Sequence, residues 1–170
     1  MPNLVTRLLL FLSSYFPLAA IFFCLLLREH QAIAVSVMVA GTIGLIGLAI
    51  YLRAAQRIGA VNIKITDLQR RDGEAMSYIV TYIIPFIAIP YSGVEQGIAL
   101  SIFFVVLAIL YVNSNMLHIN PMLNLGRYHL YEVTLENGSV QTLITKHRMV
   151  RGGEVSAITI GEDILLEKET

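Results

Sequence analysis

Ser114-Asn-Met-Leu-His-Ile-Asn-Pro-Met-Leu-Asn-Leu-Gly-Arg-Tyr-His-Leu-Tyr-Glu132 divides the chain into two kinds of sequence. Before it lie long apolar runs and one polar loop. After it lie short alternating segments of the kind that form a water-soluble β unit. The stretch itself carries Asn115, Asn120 and Asn124 with Pro121 and Gly126, residues that stop a helix and turn the chain. Such asparagines cap and turn backbone, and they can also meet a ligand headgroup. The expected organisation is a transmembrane region over 1–117 with a cytoplasmic loop at 53–75, a junction at 118–127, and a cytoplasmic β unit over 128–170.

Downstream, His129, Tyr131, Val133 and Leu135 alternate with polar or boundary residues and lead into Glu136-Asn137-Gly138-Ser139. Asn-Gly is a strong hairpin signal because both residues tolerate positive φ. A two-residue turn at Asn137 and Gly138 pairs Leu135 with Val140, Val133 with Thr142 and Tyr131 with Ile144, all on one face. Gly152-Gly153 breaks the chain again. Val155–Ile160 reads as a third strand and Ile164–Leu166 as a short fourth. So few residues make a thin core. The alternating Val61–Ile65, inside the polar loop, is expected to add a strand to this sheet.

Upstream, four runs read as membrane spans. Ile98–Val112 is one, joined by the tight Ser92–Gly97 turn to Met76–Tyr91, which is short and interrupted by Pro85 and Pro90. Each proline removes a backbone donor, so a helix kink is expected there, either to line a path or to bend against neighbours. Ala32–Leu52 carries Ser36, Ala40 and Gly44 at a spacing of four, a small-residue stripe that suits helix packing within the chain or an oligomer seam. Leu8–Leu27 is uncharged, long enough to span, and has no small-x-small cleavage pattern, so it reads as a retained helix bent at Pro17. Asp67 and Asp72 stand where helix N-caps would precede the third span. The fold class expected is therefore membrane α-helical, with four transmembrane helices and a small C-terminal antiparallel β unit.

Composition agrees with a membrane protein. The 170 residues are 56% hydrophobic and 14% charged, against about 25% charged in soluble domains, and mean hydropathy is +0.69. Formal net charge is zero, which gives no general attraction to nucleic acid. Cys24 is the single cysteine, so no intrachain disulfide forms. With four spans, Arg7, the 53–75 loop and the C-terminal unit share one side and hold every Lys and Arg except Arg28. That bias places both termini in the cytoplasm and the protein, multi-pass, in a bacterial inner membrane.

Chemistry is absent from the pattern. His30, His118, His129 and His147 show no metal-site spacing, and there is no phosphate loop, dinucleotide fingerprint or nucleophile elbow. The expectation is no catalytic residues, no metal, no cofactor and no enzyme activity.

Tyr82-Ile-Ile-Pro85 in the broken third helix, Asn120-Pro-Met-Leu-x-x-Gly126 at the junction and Tyr131-Glu-Val133 at the β entry together resemble the KwaA family, the small membrane component of the Kiwa anti-phage system of bacteria. That resemblance implies an oligomeric membrane sensor of infection at the envelope, partnered on the cytoplasmic side by a soluble DNA-binding effector, KwaB, with no direct nucleic-acid binding of its own. The other reading of the same pattern is a small oligomeric channel or transporter, whose third helix lines a path. Missing intramembrane charge favours the sensor.

Overall fold

Proline sets the first feature of the fold. A computed structural model describes residues 4–28, 30–73, 77, 93–113, 120–161 and 163–168. Leu4–Ser14 (α1) and Phe16–Leu26 (α2) are separate helices, bent by 56° at Tyr15. Pro17 sits in the first turn of α2, lacks the N–H that would continue α1, and disfavours helix at the residue before it. Gln31–Ala55 (α3) runs antiparallel to both. Its glycines let it close on them: a Cβ at Gly41 would meet Ala19, and one at Gly47 would meet Leu9. Val94–Asn113 (α4) packs on α1 through rings. Phe11 lies 5.1 Å from Phe104 and 5.4 Å from Tyr111 between centroids, and Tyr15 lies 5.0 Å from Phe104.

The strands are Val61–Arg70 (β1), His129–Leu135 (β2), Val140–Thr145 (β3), Glu154–Thr159 (β4) and Ile164–Glu167 (β5), with the short helix Pro121–Leu125 (α5) just before β2. They close into a barrel in the order β1-β2-β3-β5-β4, with β4 returning to β1. Every pairing is antiparallel except β3 with β5. This is the strand order of an OB-type Greek-key barrel. β1 serves two neighbours by bending: Val61–Lys64 pair with β4 and Ile65–Arg70 with β2, and the register shifts between Ile65 and Asp67. A bulge of this kind supplies the curvature that closure needs.

Side-chain alternation gives the barrel two faces. Ile65, Tyr131, Val133, Leu143, Val155, Ala157 and Leu165 fill its interior. Leu130, Ile144, Ile164 and Leu166 point outward into a second core that they share with Leu10, Phe11, Leu48, Tyr111 and Leu123. The helices and the barrel thus bury one apolar surface between them.

Two expectations are corrected here. The four-span membrane region with an antiparallel C-terminal β unit does not match the fold. Among the described residues, α3 and α4 are the two helices long and apolar enough to cross a membrane, and the bent α1–α2 pair makes a third only if both halves count as one span. The expected third span, with Pro85 and Pro90, lies outside the described residues apart from Ser77. The β unit is a closed barrel with a parallel pair, and the loop strand β1 is built into it. The second correction is the hairpin register. Gly138 N–H donates to Leu135 O, so Glu136 and Asn137 form the turn and Gly138, at φ 81°, follows as a bulge. Val140 therefore faces Thr134, Gln141 faces Val133 and Leu143 faces Tyr131, one residue away from the expected partners.

Candidate functional site at the joint between helices and barrel

The chain enters the barrel twice from the helices, and each entry is tied by hydrogen bonds. At the first, α3 runs into β1. Tyr51 Oη donates to Ile160 O at 2.9 Å, and Gln56 Nε2 donates to Glu167 O at 2.9 Å. Lys168 Nζ returns the contact, donating to Gln56 O at 2.6 Å and Ile58 O at 2.9 Å. A cation on the last carbonyls of a helix satisfies groups that have no intrahelical donor and complements the helix dipole.

At the second entry, α5 leads into β2. Asn120 is fully buried and works in two directions. Its Oδ1 accepts Met122 N–H at 2.9 Å, capping α5, with Pro121 at the first helical position. Its Nδ2 donates to Ser13 Oγ at 2.7 Å and to Leu10 O at 3.4 Å. Ser13 Oγ donates onward to Leu10 O at 2.7 Å, and Ser14 Oγ to the same carbonyl at 3.0 Å. Ser13, Ser14 and Asn120 are all 0% exposed. A buried amide without such partners costs about 1–3 kcal/mol, so this small network fixes where the junction sits on α1.

The end of α5 is a Schellman turn. Tyr128 N–H donates to Leu123 O at 2.9 Å and Arg127 N–H to Asn124 O at 3.0 Å. The left-handed residue is Arg127, at φ 62°, although Gly126 stands one position earlier. A Cβ at Gly126 would press on Met122 O at 3.2 Å and Leu123 O at 3.3 Å.

Asp72 joins the end of β1 to the start of β2. Its Oδ1 accepts Leu130 N–H at 2.7 Å; its Oδ2 contacts His129 Nδ1 at 3.0 Å and accepts from Arg70 Nε at 2.6 Å. Burial pushes the Asp72 carboxyl up, but the Leu130 amide, His129 and Arg70 outweigh it, and the net shift is below its ordinary value. The span that Asp72 is expected to cap lies outside the described residues apart from Ser77, and the Asp72 carboxylate is taken up by β2 and Arg70. Asp67, expected as a cap, lies within β1 and pairs with Arg151 at 3.0 Å. Across the barrel, Thr145 and His147 Nδ1 both bond the Glu167 carboxylate, closing the β3–β5 edge.

Comparison with protein families matches residues 6–166 to the anti-phage protein KwaA. The chain belongs to the KwaA family. Members act in anti-phage defence. The Kiwa protein KwaA of Escherichia coli O55:H7 (strain RM12579 / EPEC) is 32% identical over 85 residues, which cover 49% of this chain and 44% of that relative. The match thus spans less than half of the curated relative's length. No solved structure matches.

Within this chain, the residues singled out by sequence fall in different places. Asn120, Pro121, Asn124 and Gly126 come together in and around α5; Asn115, like Pro85 and Pro90, lies outside the described residues. Gly44 is buried against α1, Ala40 is half-buried, and Ser36 is exposed with its hydroxyl on Ala32 O at 2.8 Å. Asn137 is the second residue of the β2–β3 turn, where its Oδ1 accepts Ser139 N–H at 3.0 Å, and Gly138 is the bulge that follows. Sequence reasoning passed over Ser13 and Ser14, the other half of the Asn120 network. The available signal was a pair of adjacent serines inside an otherwise apolar run. Among the described residues, no group of three or more His, Cys, Asp or Glu is arranged to hold a metal.

Proposed function

We propose that this protein is the sensor and scaffold subunit of a bacterial anti-phage system, embedded in the inner membrane as an oligomer. Its helices respond to perturbation of the envelope, and its barrel, on the cytoplasmic side, controls a soluble DNA-binding effector of the KwaB kind. The observation that carries this reading is the Asn120 network. A fully buried side chain caps the segment entering the barrel and holds it to α1, so a change in helix packing moves the start of β2.

Two further features support it. Ile43, Ile46 and Ile50 of α3 and Ile98, Ile102, Val105 and Ile109 of α4 are exposed, as lipid-facing or subunit-facing side chains are. The C-terminal ends of α3 and α4 bring Leu48 and Tyr111 into the core shared with the barrel, and the N-terminal end of α1 lies beside α4 there, with Arg7 donating to Val112 O at 2.8 Å. The basic residues gather at that end, and Arg28 follows α2 at the other; this bias favours a cytoplasmic barrel. A two-state change of a few kcal/mol suffices for such control.

The test uses cells carrying the complete defence system. Asn120→Ala should leave the protein in the membrane fraction and bound to its effector while phage plating recovers. Full protection by Asn120→Ala would overturn the coupling. Ion flux through liposomes containing the purified protein alone would replace the sensor with the channel.

A further inference from the structure

Between the last turns of α3 and the barrel lies a groove of ≈ 370 Å³, lined by Ala49, Leu52, Arg53, Gln56, Tyr128 and Lys146. We propose that this groove binds the phosphate of an anionic phospholipid; the proposal rests on the membrane placement above.

The lining separates into a charged mouth and an apolar floor. Arg53 and Lys146 are both exposed cations, and no carboxylate is among the six lining residues. Lys146 Nζ stands 4.9 Å from the centre of the Tyr128 ring. A cation over an aromatic face is held in place without losing its charge. Arg53 offers a planar fork of donors suited to phosphate oxygens, and Lys146 adds a point charge. Ala49 and Leu52 supply the apolar floor.

The position selects a lipid over a free phosphate. Ile43, Ile46, Ile50 and Arg53 follow one another along a single face of α3, at spacings of three and four, and all are exposed. An apolar stripe that ends in a cation matches an acyl chain that ends in a phosphate. Basic pockets of this sort, at the cytoplasmic ends of membrane helices, recognise anionic headgroups. The fixed ties beside the groove, Gln56 to Glu167 and Lys168 to Gln56, keep its two walls at constant separation.

The protein in a neutral detergent is titrated with short-chain phosphatidylglycerol, short-chain phosphatidylcholine and inorganic phosphate, following thermal unfolding and bound lipid by native mass spectrometry. Phosphatidylglycerol should stabilise the protein and stay bound, and the other two should not. Arg53→Gln with Lys146→Gln should weaken that binding by about tenfold per charge removed. Ala49→Phe, which fills the floor and leaves the charge unchanged, should weaken it as well, whereas Arg148→Gln should not. Equal binding by the double variant overturns the site. Equal stabilisation by inorganic phosphate overturns the lipid and leaves a phosphate-binding groove. Cell fractionation tests the membrane placement separately: a protein found in the soluble fraction fails that reading whatever the titration shows.

Discussion

Gly44 and Ser13 touch backbone to backbone: a Cβ added at Gly44 would lie 2.5 Å from Ser13 N and 2.7 Å from Leu12 C. The same Ser13 accepts the Asn120 amide through its hydroxyl. One residue of α1 is therefore gripped by α3 and by the junction together. Backbone atoms cannot rotate away as a side chain does, so the contact has little give.

Gly44→Ala should destabilise the protein by about 1–3 kcal/mol through overpacking. Gly59→Ala is the control, because nothing lies within 4 Å of a Cβ there. Thermal unfolding in mild detergent separates the two. Equal melting temperatures would mean that the helices part freely at Gly44.

Asn120→Ala and Ser13→Ala should be non-additive. Each alone strands part of the network, and the pair together removes the Asn120–Ser13 contact from both sides. A coupling energy of about 0.5–3 kcal/mol is expected from the double-mutant cycle. Additive losses would show that the 2.7 Å contact contributes nothing beyond its parts.

Asp72 should make stability sensitive to acid. Its folded-state pKa lies below its ordinary value. The charged form is thus favoured by folding, and its contribution is fully present above about pH 4. It is lost as pH falls through the lower, folded-state value. Asp72→Asn should be less stable than the natural protein at neutral pH, with the gap closing in acid. Chemical unfolding across that range measures it, and a gap that holds constant in acid would contradict the assignment.

Arg127→Gly should be neutral or stabilising by up to about 1 kcal/mol, because glycine enters the left-handed region without the steric penalty that arginine meets. Arg127→Val should destabilise, since a β-branched residue is strained there. Both are read in one unfolding series. A loss with glycine as large as with valine would mean that the side chain, rather than the backbone, matters.

Parts of this architecture were plain in the residues. The apolar runs gave α3 and α4, and the alternation of Val61–Ile65 gave a strand that does join the sheet, whereas Asn120 and Pro121 read as helix-stopping and turn residues and in fact start α5. Other parts depend on partners that local pattern does not name. Pro17 signalled a bend, but not that Ser13 just before it would meet Asn120, whose number differs by more than a hundred. The parallel β3–β5 pair and barrel closure are long-range choices made by shared burial. The hairpin register turned on whether Gly138 was a turn residue or a bulge, and both uses suit Asn-Gly equally.

The first two strands of the barrel are neighbours in space, yet α4 and α5 come between them in the chain. During synthesis β1 leaves the ribosome with both edges bare, and neither β2 nor β4 exists to cover them. The barrel cannot close until β5, at Ile164–Glu167, has emerged to join β3 to β4. Closure thus records that all five strands have been made, and chains stalled before β5 present an open strand edge for chaperones and proteases to recognise. For the same reason no single cut frees an intact barrel: a fragment beginning at the junction lacks β1, and one that keeps β1 carries α4 with it.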